Sequence, residues 1–134
     1  MSPVHATSCI SASVAGGFGG LLTLLFHFNR GAIALPIGLA FGVLSAFVGY
    51  LLVFYLVRRR YGNTKPVFGE LRGSVLGTST FLISVSAHTA LFPGAGGFLS
   101  SIFPIMFIGL VMFGWIVALI GAELGAFCER HYFP

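Results

Sequence analysis

Four long apolar runs, separated by short polar breaks, dominate the sequence. A helix that crosses a bilayer needs about 20 consecutive apolar residues, and the runs predict such helices at about residues 11–28, 32–57, 73–92 and 100–127. Polar and apolar positions do not alternate along these runs, which argues against the strands of a membrane β-barrel. The pattern therefore predicts an all-α integral membrane protein, a compact bundle of four transmembrane helices that forms a single domain over residues 1–134.

The first run is the shortest of the four, and its first half is rich in glycine. About eighteen residues give roughly 27 Å of helix, which barely matches a hydrocarbon core of about 30 Å. The pattern therefore leaves open whether this helix spans fully. Residues 1–9 contain neither lysine nor arginine. Because a secretory signal begins with a positively charged region, we predict a retained helix here.

Charged side chains are scarce and unevenly placed. They make up 7% of the 134 residues, with seven Lys or Arg against three Asp or Glu and a net charge of +4, whereas soluble domains contain about 25%. Five of the seven positive residues lie in the loop 58–72 between the second and third helices: Arg58, Arg59, Arg60, Lys65 and Arg72. Because short positive loops stay in the cytoplasm, we interpret these residues as topology anchors rather than as nucleic-acid contacts.

This charge distribution predicts an orientation and a location. A cytoplasmic loop between helices two and three places both termini in the cytoplasm, and the composition is compatible with a bacterial inner (plasma) membrane. Cys9 and Cys128 would then both face a reducing compartment, where structural disulfides are rare. Neither cysteine has the spacing of a metal-binding motif, so we predict no metal site.

Small residues recur at every fourth position on the second and fourth helices. On helix two they are Ala34, Gly38, Gly42 and Ala46. On helix four they are Gly114, Ala118, Ala122 and Ala126, with Gly121 and Gly125 as a further pair. Residues four apart share a helix face, and small residues let helix backbones approach closely inside a membrane. We predict that these faces provide the tight helix packing, either within the bundle or against a partner.

Three side chains inside the apolar runs are candidates for a polar or proton-binding site. His88 and Ser84 lie on helix three, which is rich in Ser and Thr, and Glu123 is the only charge within helix four. Ionisable groups are costly inside a membrane and mark functional sites. The alternative is structural: His88 would bond to a neighbouring serine, and Glu123 would lie close enough to the cytoplasmic end to meet water or the arginine cluster.

The sequence offers little for catalysis. It contains no Asp, no HExxH motif and no glycine-rich phosphate loop, and we predict no enzyme activity, no catalytic residue and no cofactor. His27 and His88 would lie in the same half of the membrane on separate helices, an arrangement that is compatible with a b-type haem. Any four-helix protein with two histidines gives that match, so haem stays a minor alternative.

Two functions remain compatible with this sequence. The first is a small accessory subunit, assembly factor or inhibitor that acts by helix–helix contact with a larger membrane complex. The small-residue faces and the near absence of soluble mass support it. The second is a small transporter or channel with a polar path along helix three. Because a single four-helix bundle has little room for a pore, the second function requires a homo-oligomer. Beyond the lipid bilayer, the predicted partner is another membrane protein or further copies of the chain.

Overall fold

The chain folds into helices joined by short connections. The structure is a computed structural model that describes residues 2–60, 69–92 and 96–133. Its helices are α1 (Pro3–Phe26), α2 (Ala34–Arg60), α3 (Glu70–Leu91), α4 (Phe98–Gly109) and α5 (Trp115–Tyr132). A 3-10 segment, Phe28–Ile33, connects α1 to α2. A π-helical turn, Leu110–Gly114, makes α4 and α5 one continuous long helix.

Four helices in the described part of the chain are long and apolar enough to cross a membrane. They are α1, α2 together with the preceding 3-10 segment, α3, and the continuous α4–α5 helix. The predicted all-α fold with four long helices is therefore confirmed. The helix boundaries differ from the predicted ones, most of all at the start of α1 and at both ends of the fourth long helix.

The helix α1 begins well before the apolar run that predicted it. It starts at Pro3, because Ser2 accepts a hydrogen bond from the His5 backbone N–H and proline is favoured in the first turn. The hydroxyls of Thr7 and Ser8 bond to carbonyl oxygens of the preceding turn, so these polar residues fit inside a helix. With 24 residues, α1 is about 36 Å long, which is enough to cross a bilayer core.

The fourth long helix also extends past its predicted ends. It starts at Phe98 and continues to Tyr132. Pro104 lies inside α4, where proline removes one backbone hydrogen bond, and the π-helical turn follows it. Both irregularities therefore fall in the first half of this helix, whereas α5 is regular.

Two antiparallel helical hairpins make up the molecule. The first consists of α1 and α2, and the second consists of α3 and the continuous α4–α5 helix. The chain reverses direction within both hairpins at the same end, which we call the histidine end because His27 and His88 lie there. The opposite end, which we call the terminal end, carries Pro3, Arg60, Glu70 and Tyr132.

Glycines bring α1 and α2 into direct backbone contact. A Cβ atom on Gly42 would lie 3.2 Å from the Gly16 carbonyl oxygen and 3.3 Å from the Gly20 Cα. A Cβ atom on Gly38 would lie 3.3 Å from the Gly20 carbonyl oxygen. Any larger side chain would push the helices apart, so the first hairpin depends on its small residues.

The second hairpin is packed in the same way between α3 and α5. A Cβ atom on Gly73 would collide with the Gly121 carbonyl oxygen and would lie 2.9 Å from the Gly125 Cα. A Cβ atom on Gly77 would lie 3.2 Å from the Val117 carbonyl oxygen. Each hairpin is therefore held together by backbone contacts within itself.

The two hairpins meet less closely than the helices within each hairpin. They touch mainly through α2 and α3. At the terminal end, the buried residues Val53, Val57 and Cys128 pack together with Leu76 and Leu124, and we call these five residues the apolar cluster. Beside this contact a cavity lies between the hairpins along the middle of the molecule.

Candidate functional site

The cavity between the hairpins has a volume of about 450 Å³. All four long helices contribute to its wall, from Ser11 and Leu124 toward the terminal end to Phe26 and Phe92 at the histidine end. Most of the wall is aliphatic or aromatic, and none of the described residues that line it carries a charged side chain. A cavity of this size accommodates a small organic molecule.

Three polar residues of α3 line this cavity at intervals of four: Thr80, Ser84 and His88. Residues four apart share one helix face and rise about 6 Å per step, so they form a polar stripe along the cavity, which we call the α3 stripe. Ser45 of α2 faces the stripe and donates its hydroxyl to the Ser84 hydroxyl at 3.0 Å. This hydrogen bond joins the two hairpins across the cavity.

Ser11 contributes an unpaired hydroxyl to the cavity wall from α1. Its side chain is only 7% exposed, and the hydroxyl oxygen has no hydrogen-bond partner. A buried polar group without a partner costs about 1–3 kcal/mol. The Ser11 hydroxyl therefore adds an unpaired polar group to a mostly apolar wall.

His27 and His88 are in direct contact at the histidine end. Their Nε2 atoms lie 2.8 Å apart, although His27 follows α1 and His88 belongs to α3. A hydrogen bond between two neutral imidazoles requires one Nε2–H donor and one unprotonated Nε2 acceptor. The Nδ1 atom of His27 is buried without a partner. Because a buried N–H is rarely left unpaired, we assign the proton of the hydrogen bond to His27.

Aromatic side chains and an arginine surround this histidine pair. The centroid of the His88 ring lies 4.9 Å from that of Phe41 and 5.2 Å from that of Phe92. The Arg30 guanidinium lies 5.5 Å from the Phe92 centroid. Haem ligation would place an iron and a porphyrin plane between the two imidazoles, and their direct contact leaves no space for either. The pair instead joins the two hairpins at the histidine end of the cavity.

The structure brings together two of the three residues predicted to form a polar site. Ser84 and His88 line the cavity, whereas Glu123 is exposed on the outward face of α5. The residues two positions before and after Glu123 pack around Gly73, in the first turn of α3. Glu123 therefore lies near the terminal end, remote from the histidines, and does not belong to the cavity.

Five of the small residues predicted to pack helices lie at contacts between two helices inside the molecule. Those that face the other helix of their own hairpin are Gly38, Gly42, Ala46, Gly121 and Gly125. Of the others, Ala34 and Gly114 are buried and Ala118 is half-buried. These faces of α2 and α5 are therefore already occupied within the chain.

Most of the predicted topology anchors lie outside the described residues. This holds for Lys65 and for the side chains of Arg58, Arg59 and Arg60. Arg72 is described, and it is half-buried in the first turn of α3. At least this anchor therefore lies at the terminal end of the molecule.

Sequence reasoning did not predict Ser11 or Ser45 as members of this site, and it placed His27 and His88 in the same half of the membrane without predicting their direct contact. The four-residue spacing of Thr80, Ser84 and His88 is visible in the sequence and was sufficient to indicate the α3 stripe. Nothing in the sequence indicates which residues of α1 and α2 face that stripe, because this depends on the glycine contacts that set how each hairpin is rotated.

Comparison with known proteins gives no match: no protein-family model, no curated protein and no solved structure resembles this chain. In the described ranges, no three His, Cys, Asp or Glu side chains come together to hold a metal ion. The functional argument therefore rests on the cavity, on the residues that line it and on the histidine pair beside it.

Proposed function

We propose that this protein crosses a membrane four times and transports a small uncharged solute through the cavity between its hairpins. The observation that carries the proposal is a cavity of about 450 Å³ that lies between the hairpins and has a polar stripe on one wall. The transport function predicted from the sequence required a homo-oligomer, because a single bundle was expected to have little room. The cavity supplies that room within one chain.

The chemistry of the cavity wall favours an uncharged solute. Moving an unpaired charge from water into an apolar site is very costly, and none of the described residues in the wall offers an ionised side chain to offset that cost. An uncharged molecule with one or two hydrogen-bonding groups would instead meet the Ser45–Ser84 pair and the unpaired Ser11 hydroxyl. Its apolar part would contact the aliphatic and aromatic wall.

The packing supports alternating access, in which the cavity opens to one side of the membrane or to the other. Each hairpin is held by backbone contacts between glycines, whereas the two hairpins touch each other less extensively. Rigid halves that rock around a central binding site are a common basis of alternating access. Tilting one hairpin against the other would separate either the apolar cluster at the terminal end or the histidine pair at the opposite end.

The proposed orientation follows from the arginine-rich loop. Positively charged short loops are retained in the cytoplasm, so we place the terminal end in the cytoplasm and the histidine end on the outer side of a bacterial inner membrane. Arg30 is then the single positive residue at the outer side.

The test is solute flux into liposomes that contain the purified protein. Osmotic swelling, followed by light scattering, measures the entry of a panel of small uncharged solutes. The substitution Ser84→Leu puts a branched side chain into the cavity, and we expect it to lower the flux about tenfold, equivalent to roughly 1.4 kcal/mol on the barrier. The matched control is Ser86→Leu on the same helix, since Ser86 bonds to its own backbone and does not line the cavity.

The two variants separate the possible outcomes. Flux above that of empty liposomes, lost with Ser84→Leu and retained with Ser86→Leu, supports transport through the cavity. Equal flux in the two variants, or no flux for any solute in the panel, contradicts it. A second membrane protein that stays with the chain in stoichiometric amount through purification would favour the accessory role instead.

The accessory role predicted from the sequence retains one observation in its favour. Trp115 and Glu123 both lie on the outward face of α5, and Trp115 is 61% exposed. A carboxylate on the outward face of a membrane helix gains from a polar partner. The small-residue faces that first suggested partner contacts are used inside the hairpins, so this role ranks second.

A further inference from the structure

We propose that His27 and His88 form a proton-operated latch, which holds the two hairpins together at the histidine end and releases them when the pair has bound two protons. This inference rests on the transport function proposed above and adds its regulation. The starting observation is the hydrogen bond of 2.8 Å between the two Nε2 atoms, which joins the first hairpin to the second at the histidine end.

The number of protons on the pair decides whether the contact is attractive. In the neutral pair, the Nε2–H of His27 donates to the lone pair on Nε2 of His88. A first added proton still leaves one of the two Nε2 atoms unprotonated, so the hydrogen bond stays in place and becomes charge-assisted. A second added proton occupies Nε2 of His88, so two N–H groups and two positive charges then face each other. Only the pair with two added protons favours separation of the two histidines.

The groups around the pair favour the neutral, closed state. The 3-10 segment contributes Arg30, whose positive charge lies above Phe92 and opposes further protons. The helix α2 contributes Phe41, and Phe92 at the end of α3 contacts both histidine rings. The three acidic residues of the chain all belong to α3 and α5 near the terminal end. The latch therefore opens only under acidic conditions.

Opening this contact would act directly on the cavity. His88 belongs to the α3 stripe, and His27 is fixed to α1, which is packed tightly against α2. Separation of the two rings would therefore move whole hairpins apart at the histidine end. The apolar cluster at the other end contains no histidine and would stay closed. Acid on the histidine side thus favours the state that is open to that side.

The distance between the hairpins at the histidine end, measured as a function of pH, tests the latch. Spin labels attached through Asn29→Cys and Leu91→Cys report this distance by pulsed electron resonance, because both positions are exposed. The full chain is studied in lipid nanodiscs, with Cys9 replaced by serine and the buried Cys128 retained. We expect the mean distance to increase from about pH 8 to about pH 4, across the range in which histidines ordinarily titrate.

Three glutamine variants make the test specific. Glutamine in place of His88 can still donate and accept a hydrogen bond but does not titrate, so the distance in His88→Gln should stay short at both pH values. His27→Gln should behave in the same way and covers the case that one variant fails to fold. His131→Gln is the matched control, since His131 is exposed on α5 near the terminal end, and this variant should keep the full pH response.

An increase in distance that persists in His131→Gln and disappears in the other two variants supports the latch. A distance that does not change with pH, or that changes equally in all three variants, overturns it. This experiment records the distance between the hairpins and not solute flux. The latch can therefore be contradicted while the Ser84 and Ser86 comparison still supports transport. Transport can likewise be contradicted while the distance still responds to pH.

Discussion

Gly73 is the residue at which an added methyl group would disturb the packing most directly. Its Cβ atom would collide with the carbonyl oxygen of Gly121. Because that obstacle is backbone and not the flexible end of a side chain, α3 and α5 would have to separate. Gly17 of α1 is the opposite case, since a Cβ atom there would meet nothing within 4 Å.

We expect Gly73→Ala to lower the free energy of unfolding by about 1–3 kcal/mol, the usual cost of overpacking. Gly17→Ala should leave that free energy unchanged or raise it by up to about 1 kcal/mol, because alanine is the better helix former. Reversible unfolding in mixed micelles, followed by the fluorescence of Trp115, measures both variants. Equal stability of Gly73→Ala and the parent would contradict a backbone contact between α3 and α5.

Single residues of the candidate site were predictable only in part. Ser84 and His88 stand out in the sequence, because polar groups are rare in apolar runs and are costly there. Glu123 stands out for the same reason, yet it faces outward, because polarity alone does not tell which side of a helix a residue occupies. Ser45 and His27 were not predicted as partners, since pairing across helices depends on how the hairpins are rotated.

At the scale of helices, the length and continuity of the apolar runs were sufficient to predict the number and type of the long elements. The start of α1 was predicted wrongly, because its first residues are polar and such residues usually mark a helix end. In α1 the hydroxyls of Thr7 and Ser8 bond to the helix backbone itself, so the helix continues through them. A pattern of hydropathy alone does not contain that information.

We expect the two hairpins to associate without a covalent link, because each is held together by its own glycine contacts and membrane helices insert before they pack. Co-expression of residues 1–64 and 65–134 as separate polypeptides, with an affinity tag on one of them, tests this. The untagged fragment should co-purify in equal amount. Recovery of the tagged fragment alone would show that the hairpins require the connecting loop.

The substitution Gly42→Ile in the first fragment is the matched comparison. Even a Cβ atom at this position would lie 3.2 Å from the Gly16 carbonyl oxygen, so isoleucine should separate α1 from α2 and reduce the recovery of the pair. Undiminished recovery would argue that the glycine contacts do not hold the first hairpin together.

At the scale of the whole molecule, the proposed orientation in the membrane rests on the positive residues of the sequence between α2 and α3. Glu70 at the terminal end and Asn29 at the histidine end are both exposed, so cysteines at these two positions report opposite sides. In a Cys9→Ser background, we expect a maleimide that cannot cross membranes to label Asn29→Cys in intact cells. It should label Glu70→Cys only after the membrane has been disrupted.

The reverse labelling pattern would contradict the proposed orientation. Labelling of both cysteines in intact cells would contradict a chain whose two ends lie on opposite sides of the membrane. The parent with Cys9→Ser alone is the control, because the remaining Cys128 is buried and should stay unlabelled in both conditions.

The π-helical turn at Leu110–Gly114 sets the rotational phase between the two halves of the fourth long helix. A π turn holds one more residue than a regular turn, and one residue corresponds to a rotation of about 100°. With this rotation, Gly109 of α4 packs beside Phe81 of α3, and Gly121 of α5 faces α3 as well. The turn therefore corresponds to the insertion of one residue into the helix, and the fold accommodates this residue. A chain of the same fold without it would need its α5 glycines displaced by one position in the sequence to face the same neighbour.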